Sequence, residues 1–339
     1  MRATGSVQGA LSLIVLCFIA LGVSCFSDGE KTIDDHSQSG LPNAPGPLVT
    51  PTYDGSGQVV HPGITYFPNS WQGYHYWLVV TPYPKEDASK ENPSILASND
   101  GASWDVPPGL ANPIAFPSGI HLGDADLFHD ESSGQLWVYF LEEDLRGFTH
   151  LVRKTSSDGV IWRPTEDLFK VPNYQVVSPA IEKVENTYFM WSVNAGAAGC
   201  SASNTTVEYR TSQNGIDWSP PKAARISQPG YAIWHIEVAR VPSKNEYWML
   251  SAAYPNERNC GNTVLFFARS TDGINWTTYN KIALATGLGW DAGEIYRSTL
   301  LYDQEKDLLK VWYSARSGRD WHLGYSQANF TTFLNWLQR

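Results

Sequence analysis

One seven-residue phrase recurs four times along the chain: "SNDGASW" at 98–104, "SSDGVIW" at 156–162, "SQNGIDW" at 212–218 and "STDGINW" at 270–276. Its serines stand at 98, 156, 212 and 270, so the intervals are 58, 56 and 58 residues. A period that regular means repeated supersecondary units, none of which buries its apolar face without neighbours. A further step of 56 residues reaches Ser326 in "LGYSQANF", where the Asp-Gly pair is gone, as suits an atypical last repeat. Each unit also carries one strongly aromatic segment: "YHYWLVV" (74–80), "QLWVYFL" (135–141), "TYFMWSV" (187–193), "EYWMLSA" (246–252) and "LLKVWYS" (308–314). These runs are short, β-branched or aromatic, and bounded by turn residues, and no helical period competes with them. Four antiparallel strands repeated five times predict an all-β, five-bladed propeller, with 49–60 supplying the last strand of the fifth blade.

The repeated phrase reads first as a turn. Asp-Gly or Asn-Gly supplies the left-handed residue, the serine hydroxyl bonds to turn backbone, and the tryptophan packs between blades. It resembles the Asp-box of sialidase-type propellers, though one residue shorter before the glycine. Chemistry is therefore expected elsewhere.

The N-terminus has an early Arg2, an apolar run from Ala10 to Val23 and small residues up to Cys25. That pattern predicts a signal peptide over 1–25, with Cys25 the residue acylated if the signal is of the lipoprotein kind. The stretch 26–48 is polar and rich in Pro, Gly and Ser and reads as a flexible linker, leaving 49–339 as the propeller. No later run is long enough for a transmembrane helix. A secreted or periplasmic protein is expected, lipid-anchored in the Cys25 case. The formal net charge is −10 and no basic cluster tracks a phosphate backbone, so nucleic acid is not an expected partner. A monomer is expected. The 14 Trp and 17 Tyr suit both sheet packing and sugar stacking.

In a propeller the innermost strands converge on one channel mouth, and ligands are expected there. The starts of those strands carry His61, Asp124 and Asp126, Ser178, His235 and Glu237, and Glu294 and Arg297, with Trp234, Trp290 and Asp291 on adjoining connections. Glycosidic cleavage needs two carboxylates flanking a sugar. Asp126 or Asp124 with Glu237 are the catalytic candidates; His61, Trp234, His235, Trp290, Asp291, Glu294 and Arg297 are the substrate-binding candidates. Cys200 and Cys260 have no partner at zinc-ligand spacing, so no metal site and no cofactor are expected; a calcium or sodium ion in the channel has no spacing to support it. Cys200 lies 12 residues before Ser212 and Cys260 lies 10 before Ser270. Both therefore occupy the same loop of adjacent blades, and a disulfide between them is predicted.

Phrases such as "DADLFHDESSGQLWVYF" and "HIEVARV" resemble glycoside hydrolase family 43 and its five-bladed relatives. The resemblance implies an exported glycoside hydrolase, with Asp126 on the second-blade strand and Glu237 as general acid. Two features depart from that pattern. His61-Pro62 stands where the family starts blade one with an aspartate, and Glu237 falls in blade four rather than three. The general base is thus open among Asp126, Asp124, Asp54 and Asp291. A noncatalytic glycan-binding propeller is the alternative.

Overall fold

The structure, a computed structural model, describes residues 40–339. The predicted signal, Cys25 and the first part of the linker lie outside the described residues. Five antiparallel sheets follow one another along the chain. Blade one holds β1 (Val59–Trp71), β2 (Tyr74–Pro82) and β3 (Ser94–Ser98). Blade two holds β4 (His121–Asp130), β5 (Gln135–Glu143), β6 (Phe148–Ser156) and β7 (Glu166–Pro172). Blade three holds β8 (Val177–Val184), β9 (Thr187–Asn194), β10 (Thr206–Ser212) and β11 (Lys222–Ala223). Blade four holds β12 (Tyr231–Val241), β13 (Glu246–Pro255), β14 (Val264–Ser270) and β15 (Thr277–Thr278). Blade five holds β16 (Glu294–Asp303), β17 (Leu308–Ser317) and β18 (Asp320–Asn329). The first strands β1, β4, β8, β12 and β16 touch in ring order, with β16 against β1, so the five sheets close around a channel.

Two blades have three strands rather than four. In blade one the outer edge shrinks to a single bridge between Ala97 and Asp105. In blade five the ring is closed by residues 41–48, not by 49–60. The Leu48 amide donates to Leu323 of β18, Ser326 donates to the Pro42 carbonyl, and Leu41 is fully buried. This corrects the linker boundary. Pro, Gly and Asn suggested a tether, but Leu41 and Ala44 carry enough apolar surface to dock on the core.

The repeated tips behave as turn chemistry requires. In each, the serine Oγ accepts from the glycine amide at 2.9 Å, and the glycine sits at φ between 69° and 77°. They also form the seams. Trp312 of blade five donates to the Gly101 carbonyl, Tyr139 of blade two to Gly215 and Trp191 of blade three to Gly273, while Trp77 of blade one packs on Gly159. Blade five has no such tip. A C-terminal helix α1 (Phe330–Gln338), not foreseen in an all-β reading, takes its place: Asn329 caps it and Phe330 stacks on Trp248 at 3.9 Å.

Candidate active site

At the mouth-side start of every inner strand the pairing register slips, between Val60 and Gly63, Gly123 and Asp126, Val177 and Ala180, Ile233 and His235, and Ile295 and Ser298. At three of these bulges a residue with a side chain takes a left-handed backbone: His61 (φ 54°), Asp124 (φ 51°) and Ser178 (φ 54°). Bulges re-aim side chains, and strain of this kind gathers at functional sites.

Here the bulges bring His61, Asp124 and His235 together. His61 Nε2 lies 3.0 Å and His235 Nδ1 3.4 Å from the same Asp124 oxygen, Oδ1. All three residues are buried, and one ligand atom from each falls within 4.8 Å of the others. The other Asp124 oxygen accepts from the Ser178 amide at 2.8 Å, and His61 Nδ1 meets Thr81 Oγ1 at 3.0 Å. That leaves His61 Nε2, Asp124 Oδ1 and both His235 nitrogens buried with no hydrogen-bond partner. Such orphaned atoms ordinarily cost stability, so a shared focus needs an explanation. Burial lowers His61 to about 4 and His235 to about 3, which keeps both rings neutral near pH 7. Burial pushes Asp124 up, but the imidazoles, the Arg297 guanidinium and the Ser178 amide outweigh it and hold it below its usual range. Two imidazoles and one carboxylate converging in this way are side chains of the kinds that could hold a metal ion. Among the described residues this is the one such group. Local spacing had no means of showing it, because the three donors come from blades one, two and four.

The pocket above this cluster is also lined by Glu91, His121, Glu143, Tyr174, Trp234 and Tyr296. Tyr296 stands edge-on to His235 at 4.3 Å and accepts from Trp234 Nε1 at 3.1 Å. Glu91 Oε2 is 3.7 Å from His61 Nδ1, and burial, with the charges of Asp124 and Glu143, raises its carboxyl well above normal. Glu91 and Tyr174 sit in loops with no repeat signature, so sequence reading passed them by. Tyr296 was adjacent to a chosen residue and offered no charge to single it out.

The predicted site residues divide into three groups. His61, Asp124, Trp234 and His235 line the pocket. Asp126, Glu237 and Arg297 form a buried cluster in the channel and do not line it: Arg297 Nη2 is 3.4 Å from Glu237, 4.0 Å from Asp126 and 2.9 Å from the Pro179 carbonyl. Burial raises both acids, since one guanidinium serves two carboxylates. Trp290, Asp291 and Glu294, read from the sequence as substrate-binding candidates, do not line this pocket. Trp290 donates to the Ala44 carbonyl, Asp291 accepts from Asn43 and Tyr313, and Glu294 pairs with Arg316 at 2.8 Å and accepts from Thr263. They anchor the closing segment and blade five, because a polar group at a strand end is satisfied by the nearest available side-chain or backbone partner. Asp54 accepts from Ser56 in an exposed loop and does not line the pocket. Cys200 and Cys260 form the predicted disulfide, with Cα atoms 4.9 Å apart.

Fold and site together define a class: a five-bladed propeller whose channel mouth holds a buried two-histidine, one-aspartate cluster. No protein-family model matches the chain. Its sequence is similar to that of an A type blood N-acetyl-α-D-galactosamine deacetylase from Flavonifractor plautii, 28% identical over 89% of this chain and 49% of the relative. The chain thus spans about half the length of the curated relative it matches. A crystal structure of an N-acetylgalactosamine deacetylase from F. plautii, in complex with blood group B trisaccharide, superposes with a TM-score of 0.81 over 88% of this chain and 98% of that one, again at 28% identity. A thermostable family-43 glycoside hydrolase shares the fold at a TM-score of 0.60 and 13% identity, over 79% and 88% of the two chains. A GH62 α-L-arabinofuranosidase from Coprinopsis cinerea does so at 0.60 and 14%, over 86% and 98%. The expected resemblance to five-bladed glycosidases is therefore a resemblance of fold. The chain is related to a carbohydrate-modifying enzyme.

Proposed function

We propose that this protein is a metal-assisted deacetylase acting on an N-acetylated amino sugar of a glycan, outside the cytoplasm. The observation that carries the reading is the convergence of His61, Asp124 and His235, with their unpartnered buried atoms, at the channel mouth. The F. plautii relative's activity supports the substrate class. The Cys200–Cys260 bridge supports an oxidising compartment.

His61, Asp124 and His235 would hold the cation, and bound there it supplies Lewis-acid polarisation of the acetamide carbonyl. The chain's own groups do the rest. Glu91, in the same pocket, takes a proton from the attacking water and returns it to the departing amine nitrogen. Water adds its oxygen to the acetamide carbon, the C–N bond breaks, and acetate and a free amino sugar leave. Trp234 and Tyr296 wall the pocket against bulk water. The two-carboxylate scheme has less support here, because Asp126 and Glu237 are enclosed around Arg297 rather than facing the pocket.

The test is product analysis on a panel of N-acetylhexosaminides and N-acetylated oligosaccharides. Acetate release without new reducing ends is expected, abolished by a chelator and restored by a divalent transition metal. Reducing-end release without acetate would return the protein to the glycosidases.

A further inference from the structure

We propose that Tyr174 is a specificity-determining wall of the pocket, on which the C–H face of the substrate's pyranose ring rests, and that the Cys200–Cys260 disulfide holds it there. The identity of the sugar rests on the deacetylase reading; the wall itself does not.

The pocket's floor is polar, and an apolar sugar face needs an aromatic surface beside it. Three lining aromatics are candidates, and Tyr296 is committed, with its ring edge-on to His235 and its hydroxyl accepting from Trp234 Nε1. Trp234 is only 6% exposed and is committed to Tyr296 through its indole nitrogen. Tyr174 is 39% exposed, with its ring centroid 6.4 Å from that of Trp234. It is the exposed one of the three, and the one best placed to meet a ligand.

Tyr174 is also held by means that sheet pairing does not explain. Its backbone is left-handed (φ 63°), a conformation that a bulky residue keeps only when its surroundings enforce it. Its carbonyl accepts from the Ala195 amide at 2.8 Å. Its ring lies against the turn at 196–201: three ring carbons stand 2.8–3.1 Å from where a Gly199 Cβ would be, so only glycine (φ 51°) allows that approach. Gly199 is in turn tied to blade four on its C-terminal side. Cys200 is bonded to Cys260, the Cys260 amide donates to the Cys200 carbonyl at 3.0 Å, and Tyr254 OH donates to the Ala202 carbonyl at 2.6 Å. The disulfide thus fixes the turn, the turn backs the ring, and the ring faces the pocket.

The experiment compares Tyr174→Ala, Tyr174→Phe and the Cys200→Ser/Cys260→Ser double variant in the full chain. Acetate release from methyl N-acetyl-α-D-galactosaminide, calorimetric binding of that glycoside and bound-metal content are measured for each. Tyr174→Ala is expected to raise KM and Kd about tenfold with kcat and metal content held, since ring contact is shared by ground and transition states. Tyr174→Phe should restore wild-type values. The double serine variant should raise KM about threefold to tenfold and speed hydrogen exchange in 172–176 and 196–202. Unchanged KM and Kd in an active Tyr174→Ala enzyme overturn the wall. Wild-type KM and exchange in the double variant overturn the role of the disulfide. Sugar binding that depends on Tyr174, without acetate release by the wild type, overturns the deacetylase reading and sustains the wall. Absence of both binding and release overturns both.

Discussion

Asp124 and Glu237 were both catalytic candidates as acidic residues at inner-strand starts, Asp124 as an alternative to Asp126, and their surroundings separate them. Asp124 offers one oxygen to the pocket while Ser178 holds the other; Glu237 is turned toward Arg297 and Thr299. Asp124→Asn is expected to lower kcat/KM at least about 100-fold and to release the metal, which elemental analysis would show. Glu237→Gln should keep activity within about threefold; a two-carboxylate mechanism demands a loss of about 100-fold or more instead. Glu182 gives a pH-dependent test away from the pocket. Burial raises its carboxyl from the ordinary 4.5 to about 7, against the Arg240 amide and with the Asp126 charge adding. The folded state therefore favours the protonated form. That contribution is fully present below about pH 4.5 and is lost as pH rises through about 7. Glu182→Gln should thus remove part of the decline in Tm over that window and melt about 1–3 °C above wild type at pH 8. A variant melting in parallel with wild type from pH 4.5 to 8 would refute the assignment.

The Asp-Gly tips were read as turns, which the structure bears out, and they are also the sockets for the preceding blade's aromatic strand. A Cβ on Gly159 would stand 2.3 Å from the Trp77 ring, whereas one on Gly134, at a similar φ of 66°, meets nothing within 4 Å. Gly159→Ala should therefore cost about 2–4 kcal/mol, and Gly134→Ala about 1, the backbone cost alone. Chemical denaturation of the pair separates seam packing from turn strain; equal losses would show that the socket contributes nothing. The five aromatic segments read from sequence begin at the same residues as β2, β5, β9, β13 and β17. They were legible because a short run of β-branched and aromatic residues between turns has no competing helical reading. α1 was not, because nine residues of mixed polarity declare a helix only once Phe330, Phe333 and Leu337 have a surface to cover.

The ring as a whole is closed by chain segments from both ends of the described region. Residues 41–48 bond to β18 and to Asp291, while α1 packs beside Leu41 over blades four and five. A chain beginning at residue 49 is expected to melt at least about 5 °C below one beginning at residue 36, because Leu41, Ala44 and the Asn43–Asp291 bond are lost together. Matching melting curves would show that closure does not depend on this segment. Among the described residues no helix is long and apolar enough to cross a membrane.

Blade number, strand order and the turn at each tip were written in the sequence because they follow from near-neighbour chemistry repeated at one interval: a glycine's backbone freedom, a serine hydroxyl within reach of its own turn, alternation along a strand. The disulfide was legible for the same reason, since equal loop positions in adjacent repeats are neighbours in space. The composition of the pocket was not. His61, Asp124 and His235 meet only because three bulged strands from different blades converge, and the same convergence turns Asp126 and Glu237 toward Arg297 instead. Glu91 and Tyr174 enter from loops whose paths depend on what they pack against. Side-chain direction at a bulge and the burial that sets protonation are properties of the closed ring, so they arise only when all five blades are in place.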